Sequence, residues 1–240
     1  MLLSIHMESK KYTIKSVSDF ISHIEKSSSF FYRGQSQDWP LIPSIGRVGR
    51  GGFEEALLFE KSLLNEFKRL SFPILGSKNL SHNQLILHAQ HHGLPTRLLD
   101  WTSNPIKALY FAVCDTSNNN EGVVWSVDSY NIEWDEDYPQ MDNPEFYFHR
   151  PTHINNRISA QESMFLVFPL VEGQEEILSL QEGHYDKTEL GIIEKFVIPS
   201  ESKKGIRNTL STLGINRLTM FPDLEGVVGF LREYYLMDNA

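Results

Sequence analysis

The densest group of chemically active side chains in this sequence lies within residues 90–107. Its first thirteen positions, residues 90–102, carry two imidazoles, a guanidinium, a carboxylate, an indole and two hydroxyls, from His91, His92, Arg97, Asp100, Trp101, Thr96 and Thr102. A segment that only turned the chain would hold small polar residues, without a tryptophan or a Leu-Leu pair. We therefore expect a half-buried loop between two helices, with its polar side chains directed into one concave site.

Three histidines near this run have a spacing that metal sites use. His88 and His92 stand four residues apart on a predicted helix, and His91 lies between them. Position 89, where a zinc-protease motif carries a glutamate, is an alanine, and the spacing marks no third ligand. A metal-dependent hydrolase is therefore one hypothesis. The other, which we favour, is a polar helix end without a metal, where the helix dipole favours histidine.

Arg33 is the second candidate for ligand binding. It follows the aromatic residues 30–32 and precedes Gly34, which predicts a guanidinium at a strand end where a ligand can approach the backbone. The planar donor fork of arginine matches the oxygens of a phosphate. Arg97, three residues before Asp100, is expected to hold the loop in shape, together with that carboxylate.

The sequence predicts mainly helices in its first half and mainly strands in its second. Capping residues and apolar periodicity predict helices over residues 16–24, 53–70, 81–92 and 200–214, and helices that begin at Asn104-Pro105 and at Pro222-Asp223. In the last helix, the residues expected to face the core are Leu224, Val227, Val228 and Leu231. Strands are predicted over residues 29–34, 122–127, 164–168 and 191–198, and an extended surface loop over residues 130–147. Since no repeat or linker divides the chain, we predict a single α+β domain.

The composition narrows the function classes. Of the 240 residues, 40% are hydrophobic and 22% are charged, and the net charge of −9 argues against a surface built for sliding along nucleic acid. A local basic pocket for a phosphate or one nucleotide is still compatible with that charge. The single cysteine, Cys114, excludes an internal disulfide, and no apolar run reaches the length of a membrane span. We expect a cytoplasmic protein that does not bind membranes.

Several motifs resemble the FRG domain, which is named for its Phe-Arg-Gly motif. The resemblance is carried by residues 31–34, 90–102, 108–112, 157, 160–161, 165 and 218–226. It extends over residues 15–235, so we expect one FRG-like domain that occupies residues 1–240. FRG domains look like distant relatives of the ADP-ribosyltransferases. The resemblance therefore implies an ADP-ribosyltransferase-like split β-sheet core flanked by helices.

The three sequence marks of the ADP-ribosyltransferase superfamily have counterparts in this chain. The Tyr-Arg-Gly run at residues 32–34 resembles the first mark, residues 101–103 resemble the second, and Gln161-Glu162 before a predicted strand resembles the third. By this resemblance, the residues that bind NAD are Tyr32, Arg33, Gly34, His91, Trp101, Thr102 and Gln161. The catalytic residues that it implies are Glu162, Arg33 and Thr102.

The resemblance also implies a role for each of these side chains. Arg33 would neutralise the pyrophosphate of NAD, Thr102 would bind the nicotinamide ribose, and Trp101 would pack on the nicotinamide ring. Release of nicotinamide develops an oxocarbenium-like sugar, which a carboxylate stabilises. Gln161 and Glu162 cannot both point inward from a regular strand, although a bulge would allow it. Because a carboxylate can accept a proton and an amide cannot, we expect Glu162 to be the base.

Two functions compete under this resemblance. The first is an NAD-dependent ADP-ribosyltransferase that acts as a toxin or phage-defence effector on an RNA, DNA or protein acceptor. NAD would be its co-substrate, and an antitoxin or another neutralising partner would accompany it. The second is a module of the same fold that binds a nucleotide or ADP-ribose without catalysis. The metal-dependent hydrolase is a third hypothesis, which does not depend on the resemblance.

Overall fold

Capping residues set the helix boundaries in the computed structural model of this chain. The structure describes residues 10–48, 53–75, 80–115, 119–128, 132–133, 146–152, 155–169, 176–181 and 193–237. Ser81 forms a capping box at the start of one helix, and Gly93 follows that helix with a φ of +82°. The Asn104 side chain accepts two backbone hydrogen bonds at the start of the next helix, ahead of a proline in its first turn. Both helices begin where the sequence predicts.

Nine helices are found in the described part of the chain. They are α1 (Val17–Ile24), α2 (Ser44–Arg47), α3 (Phe53–Leu75), α4 (His82–His91), α5 (Pro105–Val113), α6 (Asn156–Gln161), α7 (Ser200–Thr212), α8 (Arg217–Met220) and α9 (Leu224–Arg232). One π-helical turn, Glu233–Met237, follows α9. None of these described helices is both long enough and apolar enough to cross a membrane.

Eight strands form one mixed sheet, which confirms the predicted α+β class. The strands are β1 (Lys10–Thr13), β2 (Phe31–Gln35), β3 (Leu98–Thr102), β4 (Gly122–Val127), β5 (Ile132–Glu133), β6 (Tyr147–His149), β7 (Ser163–Val167) and β8 (Ile193–Ile198). Their order across the sheet is β1-β8-β4-β2-β3-β7-β6-β5. The β1–β8 and β5–β6 pairs are parallel, and the other neighbours are antiparallel.

The two faces of the sheet carry separate clusters of buried side chains. On one face, α1, α5 and α7 pack against Tyr32, Val124 and Phe196. On the same face, toward β7, residues of α3 and α4 pack against Leu98 and Phe165. The opposite face buries the aromatic and aliphatic side chains Phe31, Leu99, Trp101, Trp125, Phe148 and Leu166. Side-chain alternation along each strand separates these clusters.

The structure corrects the prediction that the chain between α4 and α5 is a loop. Residues 98–102 form β3, which pairs with β7 from Leu98 opposite Val167 to Thr102 opposite Ser163. The charged Asp100 and the run of bulky residues around it hide the alternation of a strand. The predicted loop over residues 130–147 also contains strand residues near both of its ends, because β5 pairs with β6 and aligns Ile132 with Phe148. Most of that predicted loop lies outside the described residues.

The structure also corrects the prediction for the last helix. Its four apolar positions do not face the core, since Leu224 is 82% exposed and Val227, Val228 and Leu231 are also exposed. The packed side of α9 is made by glycine instead: a Cβ added to Gly226 would lie 1.8 Å from the main-chain oxygen of Phe221. Apolar periodicity predicts burial of the face that carries these four residues. The face of α9 that packs is instead the one with Gly226, where the helix backbone approaches the main chain of Phe221.

Candidate functional site

A cavity of about 320 Å³ opens on the face of the sheet between the two groups of helices. Its lining consists of Tyr32, Arg33, Gly34, Leu87, Gln90, His91, Asp100, Trp101, Thr102, Phe111, Arg157, Ile158, Gln161, Ser163, Phe165 and Phe221. The floor comes from β2, β3 and β7, and the walls come from α4, α5 and α6. A cavity of this size is at the lower end of the range for small-molecule sites.

The floor is interrupted where β2 and β3 separate. Both strands have five residues, but the only pair in register between them is Tyr32 with Thr102, among the residues described. Beyond that pair, the Arg33 side chain crosses to β3, and its Nη1 donates a hydrogen bond to the main-chain oxygen of Asp100 at 2.5 Å. The guanidinium therefore replaces part of the missing strand pairing and borders the cavity at the same time.

The Arg33 guanidinium keeps unused hydrogen-bonding capacity. Its Nε atom is buried and has no hydrogen-bond partner. Burial lowers the pKa of this guanidinium, while the nearby Asp100 carboxylate acts to raise it. Because an arginine stays protonated in a protein even when its pKa falls, a half-buried positive charge borders the cavity. Such a charge favours the binding of an anion.

Gly34 borders the cavity for a reason that the sequence did not indicate. A Cβ added at this position would lie 1.8 Å from the main-chain oxygen of Ala108 in α5. The absence of a side chain therefore lets α5 pack directly on β2. The neighbouring Tyr32 is buried, and its hydroxyl donates to the main-chain oxygen of Ser29 at 2.9 Å. Mainly burial raises the pKa of this phenol, with a smaller contribution from Glu194.

Thr102 and Gln161 are brought together by a direct hydrogen bond. The Thr102 hydroxyl donates to the main-chain oxygen of Gln161 at 2.7 Å and accepts from the Asn104 amide at 3.0 Å. The Gln161 side chain donates to the main-chain oxygen of Met220 at 3.1 Å. The structure therefore places both predicted residues at the cavity and fixes one through the other.

Two of the predicted residues point elsewhere. Trp101 borders the cavity, but the residue is only 3% exposed, and its indole lies edge-on to Phe148 in the cluster on the opposite face. Glu162 is not among the residues that line the cavity. It is the left-handed residue between α6 and β7, with a φ of +47°, and its carboxylate contacts Lys107 at 2.8 Å and Asn104 at 3.0 Å. The strand alternation expected before residue 163 does not apply, since β7 begins after this turn.

The surroundings of Glu162 favour its charged form. Partial burial acts to raise the pKa of this carboxyl, but hydrogen bonds from Lys107 and Asn104 outweigh it and lower the pKa. The side chain is 46% exposed. A carboxylate bound to a lysine outside the cavity has no contact that would orient it toward a ligand inside.

Arg97 holds this region in shape, as the sequence predicts, but with a different partner. The Arg97 side chain is buried and pairs with the buried Glu60 carboxylate from α3 at 2.7 Å. The Arg97 amide also donates to Glu60 at 2.8 Å. Asp100, the partner expected from the sequence, is exposed and belongs to the cavity lining.

Arg157 and Phe221 complete the cavity from late in the chain. The Arg157 guanidinium pairs with Asp223 at 2.6 Å and with Glu225 at 2.8 Å, and it lies over the Phe221 ring at 5.3 Å from the centroid. Phe111 meets the same ring edge-on at 6.1 Å. The sequence offers one indication of this part of the cavity. Arg157 and Gln161 are four residues apart on α6, and residues with that spacing lie on the same face of a helix.

His91 and His92 lie at the C-terminal end of α4. His91 lines the cavity, and its ring meets that of His92 at 4.9 Å. Partial burial, and then the positive charge of Arg157, lower the pKa of His91. Neutral imidazole therefore prevails at neutral pH. Across the residues described, no group of three or more histidine, cysteine or acidic side chains is arranged to hold a metal ion.

The region that carries most of these features has a known family. Residues 28–121 match the family model of the FRG domain. This stretch runs from β2 through α5 and supplies Arg33, His91, Asp100 and Thr102. Over this stretch, the chain is similar to the FRG domain. No curated protein and no solved structure matches the chain.

The FRG domain supplies only part of the cavity. The side chains of α6, those of β7 and the Phe221 ring come from residues after 121. A half-buried guanidinium, a carboxylate, an imidazole and aromatic walls therefore converge from both parts of the chain. Such a set of groups suits a small anionic ligand that carries a planar ring.

Proposed function

We propose that the cavity binds NAD and that the protein is an NAD-dependent ADP-ribosyltransferase. The observation that carries this proposal is the Arg33 guanidinium at the separation of β2 and β3, where it borders one cavity with Thr102 and Gln161. These three are among the seven residues for which the resemblance to the transferases implies contact with NAD. Their meeting at one site supports the proposal because they come from three separate segments.

The chemistry of the lining suits the parts of NAD. A buried guanidinium binds pyrophosphate oxygens by charge-assisted hydrogen bonds, and its unpaired Nε offers a further donor. The rings of Phe111 and Phe221 offer an aromatic wall for nicotinamide or adenine, the place that the sequence assigned to Trp101. Nicotinamide leaves as a neutral molecule from C1′ of the ribose, and the positive sugar that remains requires nearby negative charge.

The acceptor of the ADP-ribosyl group is proposed to be an RNA, a DNA or a protein in the cytoplasm. The net charge of −9 does not favour broad binding to nucleic acid, although one exposed base could still enter a pocket. By the same resemblance, the protein is proposed to be a toxin or phage-defence effector with a neutralising partner. The match of residues 28–121 to the family model of the FRG domain supports this part of the proposal.

A second function is favoured by the position of Glu162. Its carboxylate binds Lys107 and Asn104 outside the cavity, so the base that the sequence predicted is not directed at the ligand. A module that binds NAD or ADP-ribose without turnover is consistent with that arrangement.

The two functions are separated by following both halves of NAD. The protein is incubated with NAD labelled in its adenylate phosphate and with separate pools of RNA, DNA and soluble protein from bacterial cells. A transferase releases nicotinamide and labels one pool, whereas a binding module gives a calorimetric binding signal without nicotinamide release. Absence of both binding and release would contradict the proposal. The Arg33→Ala variant serves as the control for specific labelling.

A further inference from the structure

We propose that Asp100 is the catalytic carboxylate of this site, an inference that rests on the proposed transferase function. Among the lining residues of the cavity, all of which the structure describes, Asp100 is the one with a carboxylate. Its side chain is exposed, so an acceptor can reach it. The inference assigns to this aspartate the role that the resemblance implies for Glu162.

The main chain of Asp100 is fixed on both sides. Asp100 aligns with Phe165 in the β3–β7 ladder, and its carbonyl oxygen accepts the hydrogen bond from Arg33. The guanidinium thus contacts the backbone of this residue, and no ion pair within 4.0 Å joins it to the carboxylate among the described residues. The carboxylate therefore lies near the guanidinium that is proposed to bind pyrophosphate, without forming an ion pair with it.

The carboxylate itself is oriented by a chain of hydrogen bonds with a defined direction. The Leu98 amide donates to the Thr96 hydroxyl at 3.2 Å, and that hydroxyl donates to Gln90 Oε1 at 2.5 Å. With its oxygen occupied, Gln90 must turn its NH2 group toward Asp100, and Nε2 lies 3.2 Å from Oδ2. Hydrogen bonds of this kind behind an active group fix its orientation.

This direction of donation leaves one oxygen of Asp100 available for the reaction. Oδ2 accepts from Gln90, and the described residues form no hydrogen bond with Oδ1. An acceptor held over the cavity can therefore approach Oδ1. Asp100 differs from an ordinary surface carboxylate because the side chains of Gln90 and Thr96 hold it from behind. Of these two, Thr96 is fully buried.

The step that we assign to Asp100 balances without another reactant. The bond between C1′ and the nicotinamide nitrogen breaks, and nicotinamide leaves with the electron pair. The acceptor forms a bond to C1′ and gives its proton to the Asp100 carboxylate, which later releases it to water. The negative charge of the carboxylate also stabilises the positive sugar while the first bond breaks.

The decisive experiment compares Asp100→Asn with Glu162→Gln, each of which replaces a carboxylate by an amide of the same size. We measure the labelling of the acceptor pools and nicotinamide release at saturating NAD, together with NAD affinity by calorimetry. Asp100→Asn is expected to lose at least about 100-fold in turnover, the scale of a lost general base, with NAD affinity within threefold of the wild-type value. Glu162→Gln is expected to keep turnover within threefold.

Other outcomes overturn the inference in distinguishable ways. Full turnover in Asp100→Asn removes the assignment of Asp100 but leaves the proposed function in place. A wild-type protein that binds NAD but releases no nicotinamide removes the transferase function and the assignment together. Equal losses of affinity and turnover would make Asp100 a binding residue. Asp100→Glu retains a carboxylate and is expected to recover part of the turnover, which a role in folding alone would not predict.

Discussion

The Nη1 atom of Arg33 lies 2.5 Å from the main-chain oxygen of Asp100, across the gap where β2 and β3 stop pairing. One side chain thus joins two strands whose positions differ by 67 residues in sequence. The same contact places a half-buried positive charge and an exposed carboxylate side by side at the cavity. This relationship links the stability of the sheet to the proposed binding of NAD.

Replacement of Arg33 tests its contribution to the binding of NAD. Arg33→Ala is expected to weaken NAD binding by about 1.5–3 kcal/mol, the scale of a hydrogen bond to a charged group. Arg33→Lys should not restore the affinity fully, because an ammonium lacks the planar donor fork. Calorimetric titration with NAD measures both, with Arg69→Ala as the control, since that arginine pairs with Glu66 on the surface. Unchanged affinity in a folded Arg33→Ala protein would contradict the role.

Gly34 is expected to be intolerant of any side chain. In Gly34→Ala the new methyl group would meet the main-chain oxygen of Ala108, which cannot move without shifting α5, so we expect a loss of about 3 kcal/mol or more. Gly205→Ala is the matched control, because Gly205 lies within α7 with open space around it. That substitution should stabilise the protein by about 0.5–1 kcal/mol through helix propensity. Urea denaturation of both variants tests the contrast.

Loss of one partner of the buried Arg97–Glu60 pair should be severe. Glu60→Gln removes the negative charge that pairs with the buried Arg97 guanidinium, and we expect the free energy of unfolding to fall by about 3–5 kcal/mol. Glu66→Gln removes a carboxylate from an exposed pair on the same helix and should leave the melting temperature unchanged. Calorimetric melting of the two variants provides the comparison. Similar melting temperatures would show that burial of the pair has little energetic effect.

His149 should make the protein less stable in mild acid. This residue is 3% exposed, and burial lowers its pKa to about 4. An unfolded chain takes up the proton near pH 6.5, so stability is lost as the pH falls from about 6.5 to about 4. Between pH 7 and pH 5 the expected loss from this group is about 2 kcal/mol.

The variant His149→Leu tests the origin of that loss. It should remove about 2 kcal/mol of the difference between unfolding free energies at pH 7 and pH 5. His92→Gln changes an exposed histidine and should leave the difference as in the wild type. Urea denaturation at both pH values measures the effect, and an undiminished pH dependence in His149→Leu would assign it to other groups.

Thr102 is expected to act through Gln161. Thr102→Ala removes the hydrogen bonds to the Gln161 carbonyl and from the Asn104 amide, at a cost of about 1–3 kcal/mol in stability. NAD affinity should fall as well, since the end of α6 loses its attachment to β3. Thr102→Ser keeps the hydroxyl and should retain most of both properties. Equal effects of the two substitutions would assign the role to the Thr102 methyl group instead.

The local elements of this fold could be predicted because their signals lie within a few residues. Ser81, Asn104 and Asp223 each accept hydrogen bonds from backbone amides two or three positions ahead, and the helices begin at these residues as predicted. The burial of the strand over residues 122–127 likewise follows from the apolar side chains of Val123, Val124, Trp125 and Val127. A binding site is predicted around residues 90–102 because the polar side chains there exceed what a connection between two elements requires.

Only the tertiary structure decided which side chains meet at the cavity. Trp101 and Thr102 are neighbours in sequence, but they point to opposite faces of β3, so the indole packs in the core and the hydroxyl holds Gln161. Glu162 turned away because the chain takes a left-handed conformation just before β7. The proximity of Arg33 to Asp100 depends on the order of strands in the sheet. No signal within a few residues encodes that order, because it arises from the simultaneous burial of distant segments.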